Sequence, residues 1–314
     1  MATQFTSTGV LYPGSSTRTT ARPARYRDRA MFGYGRSSAT FYSMTNIVNN
    51  TGLVAADVTN VNQVRHSLAA AGYGGDKAIF AYGTTGTITS LSTLVSNLGV
   101  ILADVGGLGT ARQLLAAASY GGDKAIFGFG DTGTIYSDVM SSVTNVGVVA
   151  TESSGTGTAR LGLAAAGYGG DKAIFAYGEN GTGRLSMSNL VSNIGVVVVD
   201  GANVGTARKN LAAAGYGGDK AIFGYGISST NFYSITNLVS NIGVVIADVT
   251  GVGTARQLLA AASYGGDKAI FGYGITAAGD QTFTNLVSNV GVVVGEISSL
   301  GTARSQLAAT GFGS

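Results

Sequence analysis

A string of eight residues recurs along the chain at nearly constant spacing, and this period constrains the fold more than any other feature. Tyr-Gly-Gly-Asp-Lys-Ala-Ile-Phe begins at Tyr73, Tyr120, Tyr168, Tyr216 and Tyr264, which places its Asp at 76, 123, 171, 219 and 267. A degenerate sixth copy, Asp28-Arg29-Ala30-Met31-Phe32, lies 48 residues before Asp76. Eleven residues ahead of each later Asp stands an Arg: Arg65, Arg112, Arg160, Arg208 and Arg256. A sixth, Arg304, is followed only by the segment ending at Ser314. The first copy lacks its upstream half and the last lacks its downstream half. Complementary fragments suit a closed ring, whereas an open solenoid ends in caps with a polar outer face. The expectation is that Arg304 to Gly313 pairs beside Arg29 to Gly35.

Within one period the pattern reads as four strands. In the copy after Arg112 these are Leu114 to Tyr120, Lys124 to Phe129, a segment around Tyr136 to Val143, and Val146 to Ala150. Gly, Asn, Ser and Asp supply the turns between them. The first strand is small at nearly every position, as an innermost strand must be where repeats converge on an axis. Ala-rich runs such as Leu211-Ala212-Ala213-Ala214 favour helix, but Gly at both ends of so short a stretch leaves no room for one. The reading is an all-β, six-bladed β-propeller with four antiparallel strands per blade and about 48 residues per repeat, the first blade closed by the C-terminal strand.

Composition removes several classes of chemistry. The chain has 50 Gly, no Cys, no Trp and one His, with 45% hydrophobic and 11% charged residues. Disulfides, thiolate metal sites, Cys nucleophiles and multi-His metal sites are excluded. No apolar run approaches the ~18 residues of a membrane span, and the N-terminus lacks the apolar core of a signal peptide. His66 shares its repeat slot with Gln113, Leu161, Lys209, Gln257 and Ser305, which reads as an exposed variable position rather than a catalytic one. The Gly-Tyr-Gly strings lie on strands with no helix after them, so they are not phosphate loops. The repeated Asp-Lys pairs read as local turn bonds ahead of metal ligands. No cofactor, metal or catalytic residue is assigned, and the chain reads as a non-enzyme.

At Arg256-Gln257-Leu258-Leu259-Ala260-Ala261-Ala262, followed by Asp267-Lys268-Ala269-Ile270-Phe271-Gly272-Tyr273-Gly274, the chain resembles the kelch repeat. That family pairs an Arg-led strand with a second strand ending in a glycine doublet; the resemblance covers residues 28 to 314. The near-identical Gly-Tyr-Gly-Gly-Asp-Lys-Ala-Ile-Phe and Thr-Asn-Leu-Val-Ser-Asn strings look most like kelch-type propellers of tailed-phage virions. The resemblance implies a virion location and other virion proteins as partners.

Strand parity divides the loops between two faces. The 1–2 turns (Gly-Gly-Asp-Lys) and the 3–4 turns (Ser96-Asn97, Thr144-Asn145, Ser192-Asn193 and their equivalents) are nearly constant and share one face. The 2–3 and 4–1 loops differ in every copy and share the other. Shared residues then read as packing and turn chemistry, and the variable face as the place for a specific contact or for drift in unconstrained loops. Candidate binding-face residues are Arg36, Tyr42, Thr84, Asp131, Tyr136, Glu179, Arg184, Tyr233 and Phe283. The aromatic ones, with Phe41 and Phe232, are spaced as well for core packing as for stacking on a ligand.

Charge is uneven. Residues 1–36 hold six Arg against Asp28, a net of +5, while residues 37–314 carry a net of −2. Residues 1–26 lie outside the repeat and read as an extended basic arm, with the propeller spanning 27–314. Arg18, Arg22, Arg25 and Arg27 are the candidate arm contacts for an acidic partner surface, a tail of little order and a nucleic-acid contact being the alternatives. The functional expectation is a non-enzymatic structural or adhesive protein, a tail or accessory component of a phage virion attached through its arm. The alternative is a glycan- or protein-binding module using the variable face, with a host-surface glycan or protein as partner.

Overall fold

Each Tyr-Gly-Gly-Asp-Lys string closes a tight turn between two five-residue strands, and this hairpin is the unit from which the molecule is built. The computed structural model describes residues 27–59, 62–107, 109–150 and 152–313, and among these every regular element is a strand. The first sheet joins Ala308–Phe312, Arg29–Gly33 and Thr45–Val48. The second joins Ala69–Tyr73, Lys77–Ala81, Ser92–Val95 and Ile101–Val105. The third and fourth follow as Ala116–Tyr120, Lys124–Gly128, Met140–Val143 and as Ala164–Tyr168, Lys172–Ala176, Ser188–Val191. The fifth is Ala212–Tyr216, Lys220–Gly224, Thr236–Val239, and the sixth Ala260–Tyr264, Lys268–Gly272, Thr284–Val287, Val293–Ile297. All pairings are antiparallel, and the arrangement is propeller-like.

The C-terminal strand does pair with the first one, in the register Arg29↔Phe312 to Gly33↔Ala308. Each innermost strand also contacts the innermost strand of the next sheet, and Ala308–Phe312 sits between Ala260–Tyr264 and Ala69–Tyr73. On the turn side, Gly74 N donates to Asp123 O, and Gly121, Gly169, Gly217, Gly265 and Gly313 repeat the bond to the following turn at 2.7–3.0 Å.

The fourth strand is less regular than expected. It forms a ladder in the second and sixth sheets, each with a register shift beside it. Elsewhere it makes single bridges such as Val143↔Val149, Val191↔Val197 and Val239↔Val245. It is an outer edge whose aliphatic side chains alternate between water, as at Val148, Val196 and Val244 (53–55% exposed), and the core, as at Val149 (7% exposed), so only part of it is buried to hold its register.

Buried arginines join the sheets. All six repeat arginines are 0% exposed. Arg208 is representative: Nε donates to Tyr225 O at 2.8 Å, Nη2 to Asn237 Oδ1 at 2.6 Å, and Nη1 to Thr206 O at 3.0 Å. Asp248 lies 3.8 Å away, and the guanidinium carbon sits 4.2 Å over the ring of Tyr177 in the preceding sheet. That ring in turn packs against Phe223 at 5.5 Å. Equivalent Arg-over-ring contacts occur at all six sheet junctions. The supporting rings belong to Gly-Tyr-Gly strings, with Ala81 and Ala176 in place of the first Gly in two copies and Phe129 in place of Tyr in a third, and the central residues hold φ of 63–67°. The glycine after each is obligatory in both conformation and space: a Cβ on Gly35 would meet Ser305 O at 2.8 Å.

The residue after the constant Asn of the 3–4 turns is aliphatic in five copies and points outward. Leu98, Val146, Ile194, Ile242 and Val290 occupy the same place in the 3–4 turns and are 70–78% exposed. Nothing in the fold explains an aliphatic residue there.

Candidate functional site

The variable loops are brought together by main-chain bridges. Each 2–3 loop is a small hairpin, as in Arg36–Ser37 with Thr40–Phe41 and Glu179–Asn180 with Gly183–Arg184. Its first residue bridges the segment leading into the innermost strand of its own sheet: Thr84 to His66, Asp131 to Gln113, Glu179 to Leu161, Ile227 to Lys209, Ile275 to Gln257 and Arg36 to Ser305. The 2–3 and 4–1 loops therefore do share a face.

The hub of that face is a cycle of backbone hydrogen bonds. Ser67 N donates to Gln306 O, Gln306 N to Leu258 O, Leu258 N to Asn210 O, Asn210 N to Gly162 O, Gly162 N to Leu114 O and Leu114 N to Ser67 O, all at 2.7–2.9 Å. The six residues hold φ of 53–65°. Leu114 was expected to open a strand; the strand begins at Ala116 because residue 114 turns into this cycle. Behind the cycle lie Leu68, Leu115, Leu163, Leu211, Leu259 and Leu307, 5–6% exposed. Beyond them an axial cavity of about 270 Å³ is lined mainly by the Ala residues of the innermost strands.

Arg27 occupies that cavity. Its Nη1 donates to Ser119 Oγ at 2.8 Å, and a Cβ on Gly72 would collide with its guanidinium carbon. Desolvation lowers its pKa to about 10, against the raising effect of Asp76. Arg27 therefore departs from the arm set in which the sequence placed it: its side chain is spent inside the axis. Arg18, Arg22 and Arg25 lie outside the described residues.

The remaining predicted residues fall into two groups. Phe283 lies against Arg256, whose guanidinium carbon is 4.9 Å from the ring centroid. Tyr42 and Tyr233 are partly buried, and their main-chain carbonyls accept from Arg65 N and Arg256 N at 3.3 Å. Tyr136 is 36% exposed and bridges Asp131 across its hairpin. Asp131 accepts from Gly133 N at 2.8 Å and from Gln113 Nε2 at 3.1 Å. Thr84 is buried, and Arg36 is partly buried beside Ser305. Glu179 stands between two cations, Lys209 Nζ at 2.6 Å and Arg184 Nη1 at 2.9 Å. Lys209 was not singled out from the sequence, because only the bridging of neighbouring sheets shows that it faces Glu179.

His66 is a correction. The slot predicted an exposed side chain, yet His66 is 6% exposed, with its ring 4.4 Å from that of Phe41 and Nδ1 3.0 Å from Ser67 Oγ. The hairpin of the first sheet folds over it, and a slot comparison carries no information about such a neighbour. Burial, with Arg36 adding to it, lowers its pKa to about 4. A base whose folded pKa is depressed contributes stability that is complete above its unfolded pKa of ~6.5 and declines as pH falls toward the folded value. Urea midpoints should therefore fall between pH 6.5 and about 4, and His66→Gln should flatten that part of the profile. A profile of the same slope in the variant would show that His66 is not the titrating group.

No family model and no curated protein matches the chain. Among solved structures, that of YjhT is similar, with a TM-score of 0.61 and 10% identity over 82% of this chain and 94% of the other. At that identity the likeness shows a propeller-like fold alone.

Proposed function

We propose that the chain is a kelch-like, six-bladed propeller of four strands per blade, and that it serves as a non-enzymatic structural or adhesive module. Its place, on this reading, is as a tail or accessory component of a phage virion, with residues 1–26 as the tether and 27–314 as the propeller. The observation that carries the reading is polarity. The six variable hairpins gather around the backbone cycle on one face. Arg27, through which the arm joins the rest, lies by the constant turns, where Gly265 N and Gly266 N donate to Asp28 O and Arg27 O. Such a chain presents its constant, tethered side to an assembly and its diverse side outward. The repeat strings that resemble virion propellers support the location.

The test is attachment. Mass spectrometry of purified particles should find the protein in stoichiometric amount. Replacing Arg18, Arg22 and Arg25 by Gln should release it at physiological salt without changing its melting temperature, because exposed ion pairs contribute ~0–1 kcal/mol each and are screened. Absence from particles, with the protein free in cells, would end the virion reading. A triple variant that still co-purifies would transfer the contact from the arm to the loop face.

A further inference from the structure

We propose that the constant-turn face is a self-association surface, and that two copies of the chain meet there face to face about a two-fold axis. The inference concerns the face opposite the variable hairpins and stands independently of the virion reading.

The exposed aliphatic position of the 3–4 turns is the first argument. Its neighbours in the turn face inward. Asn145 Nδ2 donates to Asp123 Oδ2 at 3.2 Å and Asn289 Nδ2 to Asp267 Oδ2 at 3.1 Å, which ties the 3–4 turns to the 1–2 turns. The following glycine lies against a ring: a Cβ on Gly147, Gly195, Gly243 or Gly291 would stand 3.0–3.1 Å from a Tyr of the preceding sheet. The residue between them is left facing water, where turn chemistry favours Asn, Asp, Ser or Gly. It is instead Leu98, Val146, Ile194, Ile242 or Val290. The residue changes and the aliphatic class stays, whereas the first residue of the variable hairpins runs through Arg36, Thr84, Asp131, Glu179 and Ile227. Two positions on, Leu53, Val100, Val148, Val196, Val244 and Val292 close all six turns through main-chain carbonyls at 2.9–3.1 Å, and these side chains are 53–62% exposed.

Size and period choose the occupant. The eleven side chains are each more than half exposed, and together they present an apolar area on the order of the ~800 Å² that each partner buries in a standard interface. They are spaced around the axis by the repeat, so a partner that meets them all must carry the same period. The chain itself has that period. Two such faces related by a two-fold axis in the plane between them set the same surface on both sides, and the contact closes at two copies.

Charge agrees with a second copy. Nearer the axis, Lys124, Lys172, Lys220 and Lys268 stand 3.0–3.6 Å from the Asp preceding each, with their side chains 43–45% exposed. Each of these turns presents a cation and an anion side by side. The four carry no net charge to repel the same face of another copy, and a Lys of one copy can bond an Asp of the other. The aliphatic circle is interrupted at Thr51, in the turn of the first sheet. That is the sheet residues 1–26 adjoin in sequence, so the interruption falls where the arm joins.

Sedimentation velocity of the full chain over a series of concentrations is the test, and a reversible dimer should form. Ile194→Asp and Ile242→Asp should each weaken it about tenfold, because the two-fold axis makes each substitution act twice and sets a carboxylate in an apolar contact. The double variant should be a monomer. The two side chains are 78% and 74% exposed, so melting temperatures should not move. Ile135→Asp, at an exposed aliphatic of a variable hairpin, should leave the dimer intact. An unmodified chain that is monomeric at every concentration would overturn the proposal. So would a dimer that Ile135→Asp disrupts and the other two substitutions do not, since the copies would then meet through the variable face. Monomers that float with phosphatidylcholine vesicles, and lose this in the double variant, would assign the turns to a lipid surface and overturn the second copy. The particle measurement tests the virion reading separately from all of these outcomes.

Discussion

Deleting residues 305–314 should abolish cooperative unfolding and drive the protein into aggregates, although the deletion removes only one short strand. Ala308–Phe312 is the innermost strand of the first sheet and contacts the innermost strands on both sides. With it go Leu307 and Phe312, 5% and 0% exposed, each worth ~1.5–3 kcal/mol of burial. Also lost are the ladder to Arg29–Gly33, the Gly313 N to Asp76 O bond and two bonds of the backbone cycle through Gln306. The sum approaches the ~5–15 kcal/mol that holds a typical domain together. The exposed edge of Arg29–Gly33, three of whose residues are Ala30, Met31 and Phe32, then becomes a template for pairing with other chains. Adding a synthetic peptide of residues 304–314 to the truncated protein should restore solubility and a melting transition. A truncated protein with unchanged melting temperature and solubility would show that the C-terminal strand is not needed to hold the sheets together.

The strand positions near the axis were legible because five copies of one turn sequence, with a degenerate sixth at Asp28, repeat one local structure along the chain. The Tyr-Gly-Gly-Asp-Lys turn sets the hairpin, and its recurrence sets the number of hairpins. The backbone cycle was not legible. Left-handed φ is foreseen from Gly or Asn, and Ser67, Leu114, Leu258 and Gln306 hold it because hydrogen bonds to the neighbouring repeats over-determine them. Arg65 and its five equivalents were visible as a period but not as buried charges, since their partners are dispersed along the repeat. Asn237 and Asp248 lie 29 and 40 residues from Arg208. The sorting of loops onto two faces followed from strand parity. The meeting of Glu179 with Lys209 did not, because it depends on how one sheet sits against the next. Arg27 failed for a related reason: the sequence showed a basic run, and no local signal separates the member that enters the cavity.

Arg208→Met should cost about 3–5 kcal/mol, the range expected when one partner of a buried ion pair is removed. A methionine fills much of the space and keeps a contact with the Tyr177 ring, so lost volume is not the main term. What remains is a set of acceptors without a donor: Tyr225 O, Thr206 O and Asn237 Oδ1, with Asp248 close by. Burial alone would raise the Asp248 pKa, but bonds from Thr206 and Asn237 and the charge of Arg208 outweigh it and hold it below the usual carboxylate range. A carboxylate with a depressed pKa contributes stability above its unfolded pKa of ~3.9, and this is lost as pH falls through the folded value. Arg208→Met should weaken that acid-side dependence together with overall stability. Arg208→Lys should rescue little, since an ammonium cannot reproduce the planar fork that reaches Asn237 and Tyr225 at once. The second and third sheets supply an internal comparison. There Thr93 and Ser141 replace the Asn, and Nε of Arg65 and of Arg112 has no partner. Arg65→Met should accordingly cost less than Arg208→Met in urea titrations at pH 7. Equal losses at the two sites would mean that the guanidinium matters chiefly as a packed plate over the neighbouring ring, and that its hydrogen bonds contribute little.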